Sequence, residues 1–498
     1  MADTIEDILK KVESGELDIA QAAQQIDWIK RMPQQEIPAA EYVPVQDIPV
    51  AQDLDDEPAA VQEPAAAQPN AWEEARTEQD GPPQPNARAE RDVLYGHMSG
   101  YSGIHNGDMY AQLGKDLVGV INGNFEGAIG RDLKGVIKKN CVADIGGSVY
   151  GAVGEQLQGN IGGNLKGTLG SLKGNIGGNL AGVVHGDVEG DIGGNFLGSV
   201  KGCVSGDVGG DVKGTIGNNM QGDIGGNAMG TIKNDMKGDI GGDLKGYIGG
   251  NMEGDIGGNF LGEIRGDMNG DIGGDLKGAI HKNLNGDVGG KFYGVVSGEV
   301  RGDIGNGFFG KTGSIIGDIG GDFCGKSEGY ITGDIGGDYK GATRYLNGCI
   351  GGNMLGQIDY KLKGSVKENF RGIAGTMEGD IGGDMTGEIS GDLAGNIAGS
   401  IRGPHETMWE RFVYHAGSLV INKNNDGAKI GGNVTGTVGE NIEQGAVIYG
   451  DFTGDIFGDM AGTIVGTYRG TIHGNFTGLI GKMEGTVLGN NAGQIGQQ

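Results

Sequence analysis

The stretch GDIGGDLKGYIGGNMEGDIGG, residues 238 to 258, carries a glycine at every fourth position and an apolar residue, Φ, midway between each pair. Collagen requires glycine at every third residue and an amphipathic helix tolerates almost none, so a period of four excludes both. Read as G-x-Φ-x, the phase is unbroken from residue 172 to residue 308. A longer cycle lies over it. The variant G[DN][IV]GG, or a near copy, places Φ at Ile176, Ile192, Val208, Ile224, Ile240, Ile256, Ile272, Val288 and Ile304, each sixteen residues from the last. The motif returns at Ile319, Ile335 and Ile350 in steps of fifteen, sixteen and fifteen, and a step of fifteen separates Ile161 from Ile176. A coil absorbs the loss of one residue by tightening a single corner and recovering register at the next turn.

Sixteen residues are therefore one turn. The predicted fold is all-β, a long parallel β-solenoid of G-x-Φ-x tetrapeptides, four-sided, with the flatter two-strand coil as the rival geometry. Roughly 23 turns at about 4.8 Å each make a rod of order 110 Å. With 109 glycines and only 36% hydrophobic residues, the composition is that of a repeat architecture and not of an ordinary globular core. Glycine is expected at the second inward position, where a short side encloses a core too narrow for another Cβ, and at corners that need unusual φ values.

The tetrapeptide resembles the pentapeptide repeat, A-[DN]-[LF]-x-x, with one residue removed: in GDIG and GNFL an Asp or Asn precedes the inward apolar residue. That resemblance implies a four-sided coil. The layout, a solenoid with Ile495 still in register near its end and no evident cap, is similar to that of the bactofilins, bacterial polymer-forming cytoskeletal solenoids. It implies edge-to-edge assembly, since an uncovered parallel edge is a template for another chain.

Outside the repeat, residues 1 to 32 read as a helical hairpin. Thr4 and Asp7 form a capping box before the stripe Ile5, Ile8, Leu9 and Val12; Asp18 caps a second helix with the stripe Ile19, Ala22, Ala23, Ile26 and Ile29. It resembles the short helical pair of some bacterial envelope-stress proteins. Helices this short need a partner face, so Ile5, Ile8, Leu9, Val12, Ile19, Ile26 and Ile29 are candidate partner-binding positions. Residues 33 to 92 hold ten of the eleven prolines and read as an acidic disordered tether. With it, the first 92 residues carry 21 acids and 7 bases, half of the net charge of −28. Residues 93 to 112 are aromatic-rich and are assigned as a cap over the first turn, 113 to 402 and 428 to 498 as solenoid. Residues 403 to 427 are an insertion with Trp409 as a candidate docking residue and a short helix expected between His405 and His415.

Little catalytic chemistry is visible. Cys141, Cys203, Cys324 and Cys349 have neither zinc spacing nor a disulfide framework, and read as free thiols in a reducing cytoplasm. His185, His281 and His473 each follow a Φ residue and should face solvent; no nucleophile, base and orienter assemble around them. NKNNDG, residues 422 to 427, has only Asp426 of a calcium loop's carboxylates. The best candidate site is a column, Asp191, Asp207, Asp223, Asp239, Asp255, Asp271, Asp287 and Asp303, stacked at one place in the cycle. It would either bind divalent cations or serve as backbone hydrogen-bond acceptors at a corner, as Asx turns do.

The expected function is a non-catalytic scaffold, a rod or filament in a bacterial cytoplasm, self-associating through its edges or hairpin, without cofactor, nucleic acid or membrane span. The alternatives are an acidic solenoid that occupies a DNA-binding protein, and a surface or virion fibre. Charge density weighs against the first of these. B-DNA carries a charge about every 1.7 Å, whereas the repeat carries the other half of the net −28, well under one per turn.

Overall fold

The structure, a computed structural model, describes residues 93–404, 409–415, 418–424 and 427–496. The helical-hairpin positions, the tether and Asp426 lie outside the described residues. Within them the chain is a parallel β-solenoid of about 24 turns. Successive turns pair in parallel, as in Leu244↔Phe260 through Ile248↔Ile264, and the register shifts where a side is tightened.

One turn illustrates the rest. Ile240, Leu244, Ile248 and Met252 are buried, with 0 to 3% exposure, and everything between them is exposed or half-buried. Four inward residues per turn, four apart, make four sides. Two sides are extended: the strand Leu244–Ile248 and, half a turn on, the strand Met252–Glu253 continuing to Ile256. The other two are bends built from Gly-Gly-Asx, as at 241–243 and 249–251.

Three inward columns stack like residues on one another over part of the rod. The bridges of the column from Ile145 to Ile397 join only Ile and Val, β-branched residues that favour extended backbone. A second column runs Met220, Met236, Met252 and Met268. A third stacks rings, Phe292 on Phe308 at 4.6 Å, then Phe323 and Tyr339 at 5.1 Å steps. The buried Tyr339 hydroxyl donates to the Gln357 carbonyl at 3.1 Å, which removes the cost of burying it.

Glycine is required for a different reason from the one expected. At Gly246 (φ +157°) an added Cβ would meet not the opposite wall but the carbonyl oxygen of Gly230, one turn back. The same holds at Gly254 against Gly238. The close approach is along the stack, between turns, and the backbone there takes the positive φ that only glycine adopts freely.

The fifteen-residue steps that begin at Ile161, Ile304 and Ile335 tighten one and the same side, whereas the step from Met98 to Leu113 tightens another, between Met98 and Tyr101. Three residues instead of four separate the inward pairs Leu169 and Leu172, Thr312 and Ile315, and Thr343 and Leu346, and in each case the Gly-Gly-Asx bend is replaced by extended chain. Two of these sides begin on an inward threonine. Its hydroxyl bonds back to main-chain carbonyls, Thr312 to Gly298 and Ser314, Thr343 to Gly329 and Tyr345, so the buried polar atom is satisfied.

Two expectations are corrected. Residues 93 to 112 do not lie over the first turn; they include it, because Leu94, Met98, Tyr101 and His105 occupy its four inward positions and pair in register with Met109, Leu113, Leu117 and Ile121. The expected helix between His405 and His415 is instead the strand Trp409–His415, antiparallel to Ser418–Asn424. Aromatic and β-branched residues in both segments favour a pleated pair over a helix. This hairpin leaves the stack between Arg402 and Ala428, whose N–H donates to the Arg402 carbonyl at 2.9 Å.

Candidate functional site

The aspartate column stands where the repeat predicts, at one place in successive turns, and every one of its carboxylates from Asp191 to Asp303 is exposed. Its role in the backbone is not the local Asx turn. The Oδ1 of each residue accepts the main-chain N–H of the equivalent residue one turn later: Asp223 N–H to Asp207, Asp239 to Asp223, Asp255 to Asp239, all at 2.8 Å. Asn175 does the same for Asp191 at 2.8 Å, which shows that the ladder needs an acceptor and not a charge.

Two further ladders follow the same rule at other corners. One passes through Asn195, Asp211, Asn227, Asp243 and Asn259, the other through Asn219, Asp235, Asn251, Asp267 and Asn283. The mixed Asn and Asp content of these two dilutes their charge. Only the first column concentrates it, with ten aspartates in consecutive turns from Asp191 to Asp334. No group of three potential metal ligands is present among the described residues. The carboxylate oxygens point along the stack to backbone donors and do not converge on a point.

Carboxylates beside lysine or arginine are distinct. Asp132 accepts the Ser148 N–H at 2.9 Å and pairs with Lys134 at 3.0 Å, and both hold its carboxyl below the usual carboxylate range, the backbone bond most. Burial acts to raise Asp338, but the Asn353 N–H and Lys340 outweigh it and leave the group lowered. Glu263 is nearly buried and is held by His281 at 2.9 Å and Arg265 at 3.5 Å. His281 is the one histidine of the predicted outward three with a carboxylate partner; His473 stacks on Phe457 at 4.7 Å, and His185 is exposed. None has a nucleophile beside it in a cleft.

The cysteines are free. Cys141 replaces an inward Φ residue, and burial pushes its thiol up to about 12; burial likewise pushes Cys324 up to about 11. Trp409 opens the first strand of the hairpin, opposite Asn424.

The two ends are the feature that sequence reasoning located only in part. Apolar residues that pack on the core yet remain partly exposed are Leu94, Met98 and Tyr101 in the first turn and Met483 and Val487 in the last. They belong to the same columns. The bridges that start at Leu94↔Met109 end at Tyr468↔Met483, and those that start at Met98↔Leu113 end at Ile472↔Val487. Asn491 lies in the column of Tyr101, and Ile495 in that of His105.

Fold and columns together define a parallel β-solenoid repeat protein. Comparison with family models, with curated proteins and with solved structures returns no match. Among the described residues no helix is long and apolar enough to cross a membrane.

Proposed function

We propose that this protein is a non-catalytic structural scaffold whose solenoid extends by stacking the last turn of one copy on the first turn of the next, inside a bacterial cell. The observation that carries the reading is the matching of the two ends. Stacking in register would set Met483 against Leu94, Val487 against Met98 and Asn491 against Tyr101, burying apolar on apolar and supplying a polar partner for the phenol. It would also pair the strand-edge peptide groups that each terminal turn leaves without a partner among the described residues. A head-to-tail contact of this kind does not close on itself and produces a filament. The N-terminal stripes Ile5, Ile8, Leu9, Val12, Ile19, Ile26 and Ile29, and the hairpin at Trp409, are then the positions that recruit partners.

Negative-stain electron microscopy of the full-length protein tests this. Filaments are expected for the native chain, and discrete rods of about 115 Å for a Met98→Asp/Val487→Asp variant with unchanged circular dichroism. Discrete rods from the native protein at every concentration would overturn the proposal.

A further inference from the structure

The two extended sides of the solenoid carry opposite chemistry. On one, the aspartates from Asp191 to Asp334 are exposed in consecutive turns, and none of them has an ion-pair partner among the described residues. Half a turn away, the outward column of the other strand reads Leu197, Lys213, Met229, Lys245, Leu261, Lys277 in consecutive turns, then Tyr293 and Phe309. It alternates base and apolar residue with a period of two turns. Leu197 is 53% exposed, Met229 36% and Leu261 43%.

Lys213 and Lys245 make no ion pair among the described residues, although Asp211 and Asp243 stand two residues before them. The Oδ1 atoms of those aspartates accept the N–H groups of Asn227 and Asn259. Lys277 lies over the Tyr293 ring, 5.5 Å from its centroid. The one carboxylate on that strand, Glu263, is nearly buried and satisfied by His281 and Arg265.

We infer that the lysine face of one solenoid docks side by side on the aspartate face of a second copy, so that rods associate laterally as well as end to end. The argument is complementarity with commensurate spacing. A second copy has the same rise per turn, about 4.8 Å, so its aspartates meet successive lysines without accumulating mismatch, whereas a partner of another repeat would drift out of step. The apolar residues between the lysines would be covered in the same contact. Single exposed ion pairs contribute about 0.2 to 1 kcal/mol, so those of Lys213, Lys245 and Lys277 act together with the covering of the apolar residues between them, and the association is screened by salt. It does not depend on end stacking, because the faces run along the sides.

Sedimentation velocity of the full-length, end-blocked Met98→Asp/Val487→Asp protein separates the two. Paired rods are expected at low ionic strength and single rods above roughly 0.5 M salt, where the screening length falls to a few ångströms. Asp223→Asn/Asp239→Asn/Asp255→Asn/Asp271→Asn keeps every ladder acceptor and should weaken pairing at least tenfold; Lys213→Glu/Lys245→Glu/Lys277→Glu should abolish it. If the end-blocked variant does not fold, the same two sets of substitutions are scored on native filaments by the number lying side by side. Single rods at low salt, or pairing indifferent to both sets, would overturn the inference. So would a lysine face whose only measurable partner is a phosphatidylserine vesicle.

Discussion

The main-chain N–H of Asp255 donates to the carboxylate of Asp239, sixteen residues earlier, at 2.8 Å. Each turn is thus fastened to the one before it at this corner by a side chain, in addition to the bonds of the sheet. An amide oxygen can do the same work, as Asn175 does for Asp191. In urea unfolding, Asp239→Asn is therefore expected to leave the unfolding free energy within about 0.5 kcal/mol of native, while Asp239→Ala, which orphans a donor, costs about 1 kcal/mol. Equal effects of the two substitutions would place the ladder's contribution in charge and not in hydrogen bonding.

The glycines make a sharper prediction. Gly246→Ala places a Cβ against the carbonyl oxygen of Gly230 at a φ of +157°, so it destabilises by more than the roughly 0.4 to 1 kcal/mol that a Gly to Ala exchange gains at a compatible backbone. Gly496→Ala meets nothing within 4 Å and is expected to be neutral. Thermal melts of both variants check the contrast, and hydrogen exchange around turns 230 to 262 reports whether the loss stays local, as nearest-neighbour coupling in a solenoid predicts.

These two cases also mark what the sequence makes legible. Turn length, inward residues and the aspartate column follow from periodicity, because a coil that repeats in space repeats in sequence. The direction in which glycine matters does not follow, since period four places it at mid-side without saying whether its neighbour is the opposite wall or the adjacent turn. Between His405 and His415 the sequence suits a short helix as readily as a strand; only pairing between Trp409–His415 and Ser418–Asn424 decides between them. The lysine face is illegible in the sequence for a related reason. Its members are 32 residues apart, and a sixteen-residue period averages lysine with leucine and methionine.

Acid should weaken the rod through particular carboxylates. Asp132, held down first by the Ser148 N–H and then by Lys134, and Asp451, held down first by the Thr467 N–H and then by Arg469, titrate lower folded than unfolded. Groups with depressed folded values stabilise the protein above their unfolded value, about 3.9 for aspartate, and lose that contribution as pH falls through the folded value. The melting temperature is expected to hold steady from neutral pH down to about pH 5 as far as these groups act and then decline. Asp132→Asn, which keeps the acceptor for Ser148, should flatten that decline.

Thiol labelling reads the core directly. Cys349 is exposed and should react with iodoacetamide in the folded protein, whereas Cys141, inward and with its thiol pushed up to about 12, should react only on unfolding. Cys324, at about 11, should be slow. Mass spectrometry after a timed pulse orders the sites, and early labelling of Cys141 would mean that the turns around it open independently.

The hairpin offers the most exacting test of how the stack is built. The turn that contains it advances 41 residues between equivalent ladder positions, Asp392 to Asn433 and Asn396 to Thr437. Removing residues 403–427 would restore the sixteen-residue step and would join Arg402 to Ala428, which already touch through a 2.9 Å hydrogen bond. Arg402 stays anchored by Asp384 at 2.8 Å and by Glu443 on either side of the cut. The excised protein is therefore expected to fold, with a melting temperature within a few degrees of native and unchanged circular dichroism per remaining residue. If instead the turns after Ala428 become protease-sensitive, the hairpin holds the C-terminal stack in place, and Trp409 would be structural before it is a docking residue.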